Sequence, residues 1–210
     1  MERQERQNLE ERGSREAEAS DTRASEERVL IEKAKRGDRA SQETLVMRYE
    51  RRVYALVLSM VRNSEDARDL VQETFVKALT NLHRFDFSAT FPAWLMRIAA
   101  NGAKDFLRRR GRESRIFAYE TEDMSVEDFG TVKGRAEAAL SARIDSAVVE
   151  RCMAGLDPRY ASVLTLRYRD GYAYKEIGDI LSIPMGTVKV LIHRGRQELK
   201  RAVKREVGEL

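Results

Sequence analysis

From Val29 onward, large apolar residues return every three or four positions in stretches separated by short polar or glycine-marked interruptions. That period belongs to amphipathic helices rather than strands. A short helix is predicted around Val29 to Arg36, closed by Gly37. Asp38 or Ser41 then caps a long helix in which Leu45, Tyr49, Val53, Leu56, Val57 and Met60 share one side. Asn63, with Asp66 three residues on, reads as the next helix start. Ala67, Leu70, Val71, Thr74, Phe75 and Ala78 fall on its inner side, and Asp66, Asp69, Gln72 and Glu73 on the other. Thr90 and Pro92 mark a further start, and the helix from Phe91 to Arg110 is expected to bury Trp94, Leu95, Ile98 and Phe106 before Gly111 ends it.

Beyond Gly111 the period is lost until about residue 135, which places a domain boundary there. A helix then runs from Ala136 to Met153, and the pair Asp157 and Pro158 starts another that reaches about Arg169 before Asp170 and Gly171 turn the chain. No stretch alternates with the strand period. The expectation is an all-α chain of two small helical domains joined by a flexible linker. Residues 1–27 form a disordered or frayed tail, 28–110 the first domain, 111–135 the linker and 136–210 the second domain. The tail mixes Glu, Arg, Gln and Ser with almost no large apolar residue, too little to offset the entropy of ordering.

Composition narrows the functional classes. Hydrophobic residues at 42% suffice for packed cores, while 35% charged residues and three prolines describe a strongly helical chain. No apolar run approaches the roughly 18 residues of a membrane span, and the first twenty residues hold no apolar stretch that could act as a secretory signal. A cytoplasmic protein without membrane insertion is expected. The single cysteine, Cys152, has neither a disulfide partner nor a metal-ligating neighbourhood and reads as a small buried apolar residue.

Charge is distributed unevenly. Arg97, Lys104, Arg108, Arg109, Arg110, Arg112 and Arg115 face only Asp105 and Glu113, and Lys189, Arg194, Arg196, Lys200, Arg201, Lys204 and Arg205 form a second cluster against Glu198. Between them stand Glu120, Glu122, Asp123, Glu127 and Asp128 with no base among residues 116–130. Two basic bodies joined by an acidic connector suit a polyanion gripped at two places.

The sharpest local motif is GYAYKEIGDILSIPMGTVKVLIHRGRQEL, residues 171–199. Ile177, Ile180 and Leu181 point inward from a short helix, a Ser-Ile-Pro turn follows, and Val188, Leu191, Ile192 and Leu199 can face inward from a second helix. This is the spacing of a helix-turn-helix, with Gly178 allowing close approach of the two helices. Lys189, His193 and Arg194 are left outward, with donors suited to phosphates or to the acceptor edge of guanine.

The first domain adds NSEDARDLVQETFVKAL (63–79) and HRFDFSATFPAWLMRIAANGAKDFLRRR (83–110), and the second LDPRYASVLTLRYRDGYAYKEIGDILSIPMGTVKVLIHRGRQELKRAV (156–203). Together these resemble the second and fourth regions of extracytoplasmic-function sigma factors, in family order. The resemblance implies an alternative sigma factor that binds core RNA polymerase, directs promoter-specific initiation and is held in check by an anti-sigma factor. It implies no cofactor, no metal and no small-molecule substrate. Asp66, Asp69, Gln72 and Glu73 would dock on polymerase. Phe85, Asp86, Phe87 and Ser88 with Asn101 would capture a flipped base of the minus-ten element, Phe85 and Phe87 supplying a wall and Asn101 an amide able to donate and accept. Lys104, Arg108, Arg109 and Arg110 would hold neighbouring phosphates. Thr187, Lys189, Val190, His193, Arg194 and Arg196 would meet the minus-thirty-five element.

The same residues have plainer readings, the acidic face as a solvated surface and Phe85 and Phe87 as core. Trp94, set among Phe91, Leu95 and Ile98, reads as core. Ala173 stands where relatives often carry a capping serine, a loss of about 1 kcal/mol. Val190 and Leu191 replace a polar pair common there, which leaves the promoter sequence open and points to apolar contact with thymine methyls or to a stronger reliance on backbone contacts. A stand-alone helix-turn-helix regulator would use the same second domain, but it needs a dimer interface or receiver domain that the sequence lacks. A purely protein-binding adaptor leaves both basic clusters unexplained, and an enzyme would need a phosphate-binding glycine loop or ligand cluster.

Overall fold

The computed structural model describes residues 22, 24–111 and 146–208. The expected tail up to residue 21, most of the linker with its acidic residues, Arg112, Arg115, and the first part of the helix expected from Ala136 lie outside the described residues. The described residues form eight α-helices: α1 (24–35), α2 (Arg39–Val61), α3 (Ser64–Thr80), α4 (Phe91–Arg109), α5 (Ser146–Gly155), α6 (Pro158–Leu164), α7 (Tyr174–Leu181) and α8 (Met185–Gly208). No strand occurs among the described residues.

Local chemistry explains most of the boundaries. Asp38 accepts from the Ser41 amide at 2.9 Å and caps α2, and Asn63 accepts from the amides of Glu65 and Asp66 to cap α3. Thr90 caps α4, with Pro92 in the first turn, and Asp157 caps α6 beside Pro158. Ala173 supplies no cap to α7, as the missing hydroxyl predicts. Glu176 restores half of a capping box by accepting from the Ala173 amide at 2.7 Å. Helix α1 begins a turn earlier than its apolar pattern suggests, because Glu27 bonds the Tyr49 hydroxyl and lies 4.0 Å from Arg48.

Helix α2 is the centre of the molecule: Val53, Leu56, Val57 and Met60 have no measurable exposure, and α3, α4 and α6 all pack on it. In α4 the fully buried positions are Phe91, Leu95, Met96, Ala99, Ala100, Ala103 and Leu107. Trp94, Ile98 and Phe106, expected to be buried, are half-buried and pack against the edge of this core. The helix therefore presents alanines to its neighbours, which lets α4 approach them closely.

The second group of helices packs against the first rather than standing apart, and a single apolar cluster runs through both. Helix α6 lies on α2 and α7 lies on α4. After Leu164 the chain widens into a π-turn, Thr165–Arg169, whose end places Asp170 against α2. Arg52 Nε donates to Asp170 Oδ1 at 2.8 Å, and its Nη2 donates to the Asp170 carbonyl at 3.3 Å. The Asp170 side chain is 1% exposed and that of Arg52 33%. Burial pushes the Asp170 carboxyl above its ordinary value, with the Arg52 bond acting against it. Arg62, with φ of 62° at the C-cap of α2, donates to the carbonyls of Met153 (3.2 Å), Ala154 (2.6 Å) and Leu156 at the end of α5. Lys104 of α4 donates to the Leu181 carbonyl at the end of α7.

Within the second group the approach of helices depends on two glycines. A Cβ at Gly178 would sit 2.9 Å from the Ile183 carbonyl oxygen, and one at Gly195 would sit 3.0 Å from Tyr160 Cβ and 3.2 Å from Leu164 Cδ1. Cys152 is buried, and burial pushes its thiol up, the environment of an inert cysteine. No helix among the described residues is long and apolar enough to cross a membrane.

Two outcomes follow. Gly178→Ala should destabilise the helix-turn-helix by about 1 to 3 kcal/mol, because the blocking atom is backbone and cannot swing aside. A lowered melting midpoint by circular dichroism checks this. Arg52→Met strands the buried Asp170 carboxylate, whereas Asp170→Asn keeps an acceptor without the charge. Small-angle scattering should therefore report a larger radius of gyration for Arg52→Met and an unchanged one for Asp170→Asn.

Candidate nucleic-acid interface

The outer side of α3 is set by what its inner side buries. Ala67, Leu70, Val71, Thr74, Phe75 and Ala78 pack inward, so Asp69, Gln72 and Glu73 emerge on the opposite side and are exposed. Val76 joins them at 66% exposure, an apolar residue in an acidic field that periodicity alone does not single out. Glu73 also lies 3.6 Å from Lys77 one turn on. Asp66 departs from the row. It is half-buried and accepts from Arg110 Nη1 at 2.8 Å, while that guanidinium also lies over the Phe106 ring at 4.4 Å. One expected polymerase contact and one expected phosphate contact are thus joined to each other.

The loop ahead of α4 is built on aromatic packing. Phe85 is 2% exposed, with its ring centroid 5.3 Å from Trp94 and 5.6 Å from Phe91. It is a core residue and offers no open wall, because its neighbours enclose it on the side toward α4. Phe87 is half-buried, with its ring 4.8 Å from that of Phe85. Asp86 is exposed and its Oδ1 accepts from the Ser88 amide at 3.0 Å and the Ser88 hydroxyl at 2.7 Å, bonds that hold its carboxyl below the usual value. Asn101 is exposed on α4, and Lys104 lies one turn beyond it. Lys104 is half-buried against Leu181, so in this arrangement its ammonium serves the second group of helices instead of solvent. Arg109 is exposed at the end of α4. Arg108 is exposed too, bonded to Asp105 at 2.9 Å.

Helices α7 and α8 form the helix-turn-helix. Ser182 leaves α7 with φ of 52°, and its amide bonds the Gly178 carbonyl. Pro184 then precedes α8. Val188 and Ile192 are fully packed, and Leu191, at 7% exposure, belongs to the same core. Contact of Leu191 with thymine methyls is therefore excluded by its burial, and of the apolar pair only Val190, half-buried, stays near the surface. Thr187, Lys189 and Arg196 are half-buried, while His193 and Arg194 are exposed; Gln197 Nε2 lies 3.0 Å from His193 Nε2. These residues occupy successive turns of α8 on the side left open by its core.

Sequence reasoning missed Arg28, Lys35, Arg52 and Arg62. Each is one basic residue among others along the chain, Lys35 between Lys33 and Arg36 and Arg52 next to Arg51, and only its partner distinguishes it.

Comparison with known proteins matches this geometry to two family descriptions in the same order, Sigma-70 region 2 over residues 45–113 and Sigma-70, region 4 over residues 146–199. The chain is 32% identical over 178 residues to the ECF RNA polymerase sigma factor SigW of Bacillus subtilis (strain 168), covering 83% of this chain and 95% of that protein. It is 35% identical over 182 residues to the ECF RNA polymerase sigma-E factor of Escherichia coli (strain K12), covering 84% and 94%. Among solved structures it resembles CnrH in complex with the cytosolic domain of CnrY, with a TM-score of 0.56 and 26% identity over 85% of this chain and 97% of that one. The sigma factor RpoE of Bartonella quintana, solved with the anti-sigma factor NepR, shares the fold at a TM-score of 0.56 and 21% identity, over 77% and 96%. Two region matches flanking a helical fold, and full-length relatives above 30% identity, show that the chain belongs to the extracytoplasmic-function sigma factors.

Proposed function

We propose that the chain binds core RNA polymerase through the exposed row Asp69, Gln72, Glu73 and Val76 of α3, and that its two basic regions then divide the promoter between them. The observation that carries this reading is the separation of surfaces. The acidic row lies on α3 with its own core behind it, while the cations gather at the end of α4 and along α8. Asn101 and the Phe87 side of the loop take a base of the melted minus-ten strand, with Arg108 and Arg109 beside its phosphates. Lys189, Val190, His193 and Arg194 enter the major groove at the minus-thirty-five element, with Thr187 and Arg196 at its edges. The chain contributes recognition and strand capture in the cytoplasm, and bond-making stays with the polymerase.

The packing of α7 on α4 bears on control. Lys104 gives one of its three donors to the Leu181 carbonyl and is half-buried there, so turning its ammonium fully onto a phosphate requires the two groups of helices to part. A protein that covers both groups together lowers the active population in proportion to its affinity, and an anti-sigma factor is such a partner. The likeness to CnrH, solved with a bound partner, supports this reading.

Reversing charge in Asp69→Lys with Glu73→Lys should weaken co-elution with core polymerase by about tenfold or more, with helicity by circular dichroism unchanged. Unaltered co-elution would mark the row as merely solvated. For the DNA surfaces, Asn101→Ala should impair strand opening, read by permanganate reactivity of thymines, more than binding to closed duplex. Arg194→Ala should instead weaken duplex binding in gel shifts, by about 1 to 3 kcal/mol if it contacts guanine. The reverse pattern would make the α4 surface an ordinary duplex binder.

A further inference from the structure

Phe87 has a φ of 63°, in the left-handed region that a bulky side chain rarely adopts. Such a conformation persists only where the surroundings over-determine it. The surroundings here come largely from α1, which lies ahead of the region-2 match at residues 45–113. Lys35 Nζ donates to the Phe85 carbonyl at 2.9 Å, fixing the backbone two residues before Phe87. The same ammonium lies 5.4 Å from the centroid of the Phe87 ring, and the Arg28 guanidinium lies 4.7 Å from it. Glu32, one turn before Lys35 on the same helix, stands 3.6 Å from its ammonium. On the far side of Phe87, Asp86 pins Ser88 through two hydrogen bonds, and the buried Phe85 ring backs the Phe87 ring at 4.8 Å. Two cations at the ring and a hydrogen bond to the carbonyl two residues earlier thus converge on the strained segment.

We propose that Lys35 and Arg28 are positioning residues of the base-capture loop, and that α1 acts as a strap holding Phe87 in its receiving conformation before DNA arrives. The proposal rests on the reading of this loop as the site that takes a minus-ten base. The physical gain is preorganisation. A ring already fixed loses little freedom when a base packs against the part of it left open, whereas an untethered Phe87 relaxes to extended backbone and carries its ring away. A cation over the ring also places positive charge beside the phosphate that accompanies an extruded nucleotide.

The test uses holoenzyme reconstituted from the full chain and core polymerase. The probe is a fork-junction DNA from a promoter located by transcript start-site mapping, with each base substituted in turn along its non-template minus-ten strand. Lys35→Met should lower fork affinity about tenfold and flatten the preference at one base position, while binding to core polymerase stays at the wild-type level. Lys35→Arg should restore both. In a Phe87→Gly background, which accepts the positive φ without a strap, Lys35→Met should have no further effect. Wild-type affinity and base preference in Lys35→Met, alongside a loss in Asn101→Ala, would overturn the strap and leave the capture site standing. Unaltered base preference in Asn101→Ala and Phe87→Ala as well would remove the capture site and the strap together. Should Lys35→Met impair folding, the exposed Arg28→Gln decides: a flattened preference supports the strap, and an unchanged one overturns it.

Discussion

Among the described residues, three of the polar contacts between the two groups of helices bring a cation from the first to the end of a helix in the second. Arg62 meets the last carbonyls of α5, Arg52 meets Asp170 and its carbonyl where α6 and its π-turn finish, and Lys104 meets Leu181 at the end of α7. Helix ends leave carbonyls without intrahelical partners, and the helix dipole makes that end negative. The Arg62 and Lys104 contacts satisfy acceptors that water or a local cap would otherwise serve, at about 0.3 to 2 kcal/mol apiece. The Arg52 pair holds a carboxylate only 1% exposed and costs more to break, so around the shared apolar cluster it is the firmest of the three.

The same economy of cations recurs inside the first group. Arg110 spans from α4 to Asp66 at the start of α3, so the acidic side of α3 and the basic end of α4 share a charge pair. The pair is partly exposed and of modest strength. A partner that takes Asp66 leaves Arg110 to seek another anion. Val76 beside Glu73 adds an apolar point to a surface otherwise held by charge. Interfaces need such points, because charges alone steer approach more than they hold it.

In the second group, close packing has priority over capping. Gly178 and Gly195 remove side chains where α7 meets its turn and where α8 crosses α6, and Ser182 adopts a left-handed conformation to close α7. Ala173 forgoes a side-chain cap, and Glu176 supplies only the reciprocal bond. The recognition helix α8 is consequently fixed by its buried face, Val188, Leu191 and Ile192, and its outward residues inherit that rigidity.

What the sequence determined by itself was whatever depends on neighbours within a turn or two. The capping residues Asn63, Thr90 and Asp157, the α2 cap narrowed to Asp38 or Ser41, the inner faces of α2 and α3, the glycine-dependent turn at 178–184 and the outward row of α3 at Asp69, Gln72 and Glu73 all follow from local period and cap chemistry. Tertiary structure decided where long side chains end. Period alone assigned Trp94, Ile98 and Phe106 to the interior, yet α4 turns its alanines inward and leaves those rings and branches at the edge. Phe85 and Phe87 look equivalent in sequence, and the aromatic cluster buries one while the left-handed backbone lifts the other. Asp66, Lys104 and Arg110 read as surface charges, and their partners lie 44 or 77 positions away. An Arg or Lys reaches its partner through several rotatable bonds, so no spacing along the chain encodes that meeting. Only the packing of helices brings the two ends within a hydrogen bond.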